Sequence, residues 1–179
     1  MKSFFACQKT VRRAFLWPAV FGVIAVAGLA APSNLRAGSG EDEIKKIELS
    51  WEKRLKFGEV ASDLTGSGTV IIDAISNSRS VTGAIFDFGG SWSRGKFKIE
   101  GEKDAYVNIT LPSSVVVESR TGSYTMTLTN LNMNQTNPVK LSEDGKKTVR
   151  IGGTLQVAPN QHAGKYRDVG TLIINVDYN

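Results

Sequence analysis

Cysteine and histidine are nearly absent from this chain of 179 residues: Cys7 is the only cysteine and His162 the only histidine. Cys7 precedes the apolar N-terminal run, so it is misplaced for a lipoprotein anchor, and once that run is removed neither a disulfide nor thiolate chemistry is available. One imidazole without thiolates leaves a transition-metal site to carboxylates alone, and these show no clustered spacing. A serine–histidine–acid site would have to use His162, and no G-x-S-x-G element occurs. Gly66-Ser67-Gly68, Gly89-Gly90 and Gly152-Gly153 lack the Lys-Ser/Thr ending and the strand-to-helix setting of a phosphate loop. They read as turns or bulges that admit positive φ. Asp73, Asp87, Glu100, Glu102 and Asp104 fall near strand ends, where solvated acids are common, so paired-carboxylate chemistry has little to stand on. The expectation is a protein that is not an enzyme, with no cofactor and no metal.

The N-terminus carries Lys2, Lys9, Arg12 and Arg13, followed by the uncharged run Ala14 to Ala31 and small residues near Ala27, Ala30, Ala31 and Ala37. This is the outline of a secretory signal peptide over residues 1–37, cleaved near 31 or 37. The whole chain has 22 Lys+Arg against 17 Asp+Glu. Cleavage after Ala37 would remove five cations and no acid, leaving seventeen of each. The basic pI of about 9.4 therefore belongs to the export signal and argues for neither a nucleic-acid partner nor a membrane surface after cleavage. The remaining chain is long enough to bury one sizeable core without a disulfide.

What is abundant is alternation. Val169 to Tyr178 places Leu172, Ile174, Val176 and Tyr178 on one face of a strand, because successive strand side chains point to opposite sides. Thr154 to Val157 alternates too and is stopped by Pro159; the two runs read as antiparallel neighbours joined by a Gly/Pro/Asn loop. Lys96 to Glu100 and Tyr106 to Leu111 alternate cleanly between apolar and polar residues. Roughly nine or ten short strands with turn signals between them, and no convincing long helix, predict an antiparallel sandwich or barrel. Residues 38–54 form an arm ahead of a β-sandwich domain at 55–179. In the arm, Ile44, Ile47, Trp51 and Leu55 suit a helix face, whereas Ile47, Leu49 and Trp51 suit a strand face; the extended reading is preferred. Trp51, Trp92, Tyr106 and Tyr124 could stack on sugars, though core packing is their commoner role.

Several blocks also resemble a bacterial exported family. Leu55-Lys56-Phe57-Gly58, Ser67-Gly68-Thr69-Val70 and Val81-Thr82-Gly83-Ala84 come in order, then Phe97-Lys98-Ile99-Glu100-Gly101 and Tyr106 to Pro112. Ile151-Gly152-Gly153-Thr154-Leu155, Asn160 to Tyr166 and the ending Val176-Asp177-Tyr178 complete the series. On these residues the stretch 55–179 is similar to the domain-of-unknown-function family numbered forty-four-oh-two, which in turn resembles chaperone–usher fimbrial subunits. That resemblance implies an immunoglobulin-like sandwich short of one strand, which a periplasmic chaperone and then the arm of the next subunit supply. Leu172, Ile174, Val176 and Tyr178 would line the acceptor groove, and Ile47, Leu49 and Trp51 would be the inserting side chains of the donor arm. The implied partners are copies of the chain or related subunits, a chaperone and an usher. The implied route is export to the periplasm, then to the cell surface, a fimbrium or the medium. The other expectation is a monomeric secreted module that binds surface glycans or proteins.

Overall fold

The computed structural model describes residues 44–179. The expected signal peptide at 1–37 and the first part of the arm, 38–43, lie outside the described residues. Within them the chain is all β, with antiparallel pairing throughout: β1 (Glu48–Lys53), β2 (Lys56–Ser62), β3 (Gly68–Ile72), β4 (Arg79–Gly83), β5 (Ile85–Ser93), β6 (Gly95–Glu100) and β7 (Tyr106–Thr110). There follow β8 (Ser114–Ser119), β9 (Thr125–Met133), β10 (Val139–Lys140), β11 (Lys146–Val157), β12 (Tyr166–Asp168) and β13 (Asn175–Tyr178).

The twelve-residue β11 is the spine of the largest sheet. Along one edge it pairs first with β6, through residues 146–151, and then with β3, through residues 153–157. β9 runs along its other edge. The sheet order is β1-β6-β11-β9-β8-β12, with β4 hung on β3. A second sheet is β10-β7-β13, and a third is the ribbon β2-β5. Leu55 and Phe57, Phe97 and Ile99, Val107 and Ile109, and Leu172, Ile174 and Val176 all enter one core cluster, so the small sheets close over the large one in a sandwich-like arrangement.

Local chemistry explains individual strands. β6 buries Phe97 and Ile99 and turns Lys96, Lys98 and Glu100 outward, the period-two pattern of a strand with one wet face. Each such buried side chain contributes about 1.5–3 kcal/mol. The ribbon β2-β5 shifts register twice, at 57–59 and 59–60, opposite Gly89 and Gly90. Those two glycines have φ of 69° and 73°, as their turn-or-bulge reading requires. Gly152 and Gly153 have no positive φ; they are small because neighbouring chain passes close by.

Two expectations about the C-terminal region change. The runs at 154–157 and 169–178 are not neighbours: β11 sits inside the large sheet, and β13 pairs with β7 in another. The connection between them is long enough to lay down β12 against β8 and then switch sheets. The last strand is also shorter than its alternation, because residues 171–174 are diverted by the contacts described next.

Candidate assembly edge at the C-terminal strand

Asp168 governs how the chain leaves β12. Its carboxylate is 2% exposed. Oδ1 accepts the backbone N–H of Thr171 (2.9 Å), the N–H of Leu172 (3.1 Å) and the hydroxyl of Thr171 (3.0 Å). The side chain thus folds the next residues into a turn, the local bonding that aspartate offers more readily than a strand ladder does. The Thr171 hydroxyl also meets the Val116 carbonyl (3.0 Å), while the Val116 N–H donates to Thr171 Oγ1 (3.2 Å). One side chain therefore stands in for a strand partner on β8. Asp168 Oδ2 has no hydrogen-bond partner among the described residues. Asp168→Ala is expected to lower unfolding stability by about 2 kcal/mol, since three bonds to a buried carboxylate are lost. Urea melts followed by tryptophan fluorescence measure it; a change below about 0.5 kcal/mol would show that the turn holds without its carboxylate.

Beyond this turn Leu172, Ile174 and Val176 are all buried, and Tyr178 is half-buried against the core. β13 pairs with β7 from Asn175 opposite Thr110 to Tyr178 opposite Val107. Bonded and non-bonded pairs alternate in an antiparallel ladder. The Asn179 N–H donates to the Tyr106 carbonyl (2.9 Å). Ile109, opposite Val176, gives both backbone groups to the Asn137 side chain on its other side, at 3.0 and 2.8 Å. By that parity Asn175, Asp177 and Asn179 face β7. The backbone N–H and C=O of Val176 and Tyr178 face the opposite, outer side of β13. β13 ends its sheet, and among the described residues no strand lies along that side.

The arm is close by but is paired elsewhere. β1 lies on β6, with Leu49 opposite Ile99 and Trp51 opposite Phe97. Ile47 is buried; Leu49 and Trp51 pack on the core from the edge, and the Trp51 and Phe97 rings are tilted at 55° with centroids 5.6 Å apart. Strand and arm meet at one point: the Tyr178 hydroxyl donates to the Lys45 carbonyl and accepts from the Glu102 N–H (2.7 Å). The expected donor and acceptor segments are thus both edge strands of one molecule, joined by a phenol.

The remaining candidates are engaged in local structure. Asp73 accepts the N–H groups of Ile75 and Ser76, at 2.7 and 2.6 Å, which lower its pKa. Arg79 grips Asp87 with two hydrogen bonds of 2.7 Å and holds its pKa at about 2. Glu100 is paired with Lys98 and Asp104 with Lys140, while Glu102 receives the Lys45 N–H at 3.2 Å. The pKa of Glu100 and of Glu102 is lowered by these bonds, the opposite of what a general acid needs. No group of three or more His, Cys, Asp or Glu that could hold a metal occurs among the described residues, nor does a helix long and apolar enough to cross a membrane. Tyr106 and Trp92 are exposed on β7 and β5, and Tyr124 stacks on His162. The roles of Asp168 and Asn137 were not foreseen from the sequence. The spacing Asp168 to Thr171 is a usable turn signal, whereas the embrace of Ile109 by Asn137 joins positions 28 residues apart.

No curated protein and no solved structure is matched by this chain. A family model described as Domain of unknown function (DUF4402) matches residues 47–178. The match takes in β1, so it reaches further toward the N-terminus than the blocks from Leu55 onward. Covering most of the chain and every strand among the described residues, it places the protein: the chain belongs to the DUF4402 family.

Proposed function

We propose that this protein is an exported, non-enzymatic structural subunit that assembles by strand addition into a fimbria-like surface structure. Its body would be an immunoglobulin-like sandwich of the chaperone–usher kind. The observation that carries the reading is the outer side of β13, where backbone groups of Val176 and Tyr178 lie beside the buried side chain of Val176 and the half-buried ring of Tyr178. An open edge of this kind recruits an extended segment, with main-chain bonds giving affinity and alternate side chains giving register. The arm supplies such a segment in Ile47, Leu49 and Trp51. As an edge strand, β1 is held by β6 alone, so it can leave without breaking the interior of a sheet. Exchange gives up the β1–β6 pairing and regains an equivalent one on the neighbour. Each apolar side chain buried on the new edge adds about 1.5–3 kcal/mol, against roughly 1–2 kcal/mol for each residue newly ordered. The partners would be further copies or related subunits, with a periplasmic chaperone guarding the edge and an usher ordering its exchange.

Deleting residues 38–51 tests the arm. The truncated protein is expected to form no polymers by electron microscopy or size-exclusion chromatography, and a synthetic peptide of residues 44–53 is expected to bind it. Polymers at the full-length level without the arm would overturn its role.

A further inference from the structure

A cleft of about 680 Å³ lies between the end of β2, the loop following β11 and the turn before β9. Its size is that of a small-molecule site. No aspartate, glutamate, lysine or arginine lines it. Phe88 and Leu64 line it while 68% and 76% exposed, a poor arrangement for two large apolar side chains that only pack. Tyr124 and His162 line it as a stacked pair, with centroids 3.9 Å apart and planes 6° from parallel.

The loop that presents these rings is fixed from behind. The buried Tyr166 donates its hydroxyl to the His162 carbonyl (2.8 Å). Gln161 Nε2 donates to the Tyr166 hydroxyl (2.8 Å) and to the Thr125 carbonyl (3.2 Å). Ser62 Oγ donates to the Gln161 carbonyl (3.3 Å), and the Asn160 N–H to the Asp63 carbonyl (2.7 Å). These bonds consume the polar groups on the inner side of the loop. The groups on the cleft side are unspent: the Tyr124 hydroxyl, the His162 ring nitrogens and the Asn160 side-chain carboxamide make no hydrogen bond to any described residue. A preorganised site with spare donors and acceptors loses little entropy on binding.

We propose that this cleft binds a neutral saccharide. A pyranose offers an apolar C–H face to an aromatic ring, whose negative π-face attracts it. Its rim of hydroxyls suits a phenol, an imidazole and a carboxamide, each of which can donate or accept. A phosphorylated or sulfated ligand would find no lysine or arginine in the lining. A purely apolar ligand would cover those three polar groups without pairing them, which disfavours it. The proposal does not depend on strand exchange, because every residue in it belongs to one monomer.

The test uses the exported protein as a monomer. Methyl β-D-galactopyranoside, methyl β-D-glucopyranoside, methyl α-D-mannopyranoside and N-acetyl-D-glucosamine are titrated at millimolar concentrations by NMR, alongside an array of neutral and anionic glycans. At least one neutral saccharide is expected to bind and to shift the signals of Leu64, Tyr124, His162 and Gly164. Tyr124→Ala and Asn160→Gly are each expected to weaken that binding at least tenfold. Glycine suits position 160 because Asn160 has φ of 51°, and an unchanged melting temperature shows that both variants fold. Binding to no neutral saccharide, binding only to anionic glycans, shifts confined to another surface, or binding indifferent to both substitutions would each overturn the proposal.

Discussion

Gly152→Ala is expected to destabilise the fold by about 3 kcal/mol, the upper end for forcing an extra methyl group into a packed interior. The reason lies in the double use of β11. β6 and β3 lie end to end along the same edge, and Gly152 stands at the junction, after Ile151 opposite Gly95 and before Gly153 opposite Ile72. A Cβ there would fall 2.1 Å from the Ile72 carbonyl oxygen and 2.7 Å from the Ala74 nitrogen. Both are backbone atoms, and Ile72 and Ala74 are fully buried, so no side chain can swing aside to make room. Relief would require β3 to lift from β11 or β11 to lose its register with β9. The register already shifts between Gly152 and Thr154. Gly164→Ala is the control: its Cβ would meet nothing within 4 Å, so its stability is expected to stay within about 0.5 kcal/mol. Urea and thermal unfolding compare the two, and a melting-temperature drop of roughly 10 °C is expected for Gly152→Ala alone. A loss under 1 kcal/mol would mean that the β3–β11 junction is looser than its geometry.

The individual strands were legible, and their partners were not. β6 and β7 declare themselves because one face of each is buried against the core and the other is wet, which writes a period of two into the sequence. The stretch 44–55 fits two periodicities, with the extended one only slightly preferred. What makes it extended is β6, some fifty residues away, whose Phe97 and Ile99 receive Trp51 and Leu49. Such non-local pairing overrides local pattern and leaves no mark in it. The end of the chain shows the converse failure. Alternation from Leu172 to Tyr178 correctly marks the inward face, since Leu172, Ile174 and Val176 are all buried. It overstates the strand, because Asp168 and Thr171 satisfy the backbone by side-chain bonds that alternation does not encode. Of the aromatic residues considered for sugar contact, only Tyr124 lines the cleft. Its stacking partner His162 is 38 positions away, and Phe88 arrives from β5, a third segment of the chain. Residue type singled out Tyr124; only the fold brings His162 and Phe88 beside it.

The sharpest test of strand addition is Val176→Pro, which is expected to reduce polymer formation at least tenfold while leaving a folded monomer. Proline removes a backbone donor and fixes φ near the value of an extended chain. On an edge strand it is tolerated where the N–H faces outward. By the parity of the β7–β13 ladder the Val176 N–H is such a group, and its loss breaks no bond to β7. The ring remains apolar and of nearly the same size, so the burial at position 176 is largely kept. An added strand would lose one main-chain bond and meet a ring where it must approach closely. Asp177→Pro reverses the geometry: the Asp177 N–H faces β7, so this change is expected to damage the monomer itself. The pair therefore separates assembly from folding. Circular dichroism checks the monomer, and electron microscopy or sedimentation counts polymers. If Val176→Pro assembles as readily as the unaltered chain, the outer side of β13 is not where a neighbour joins.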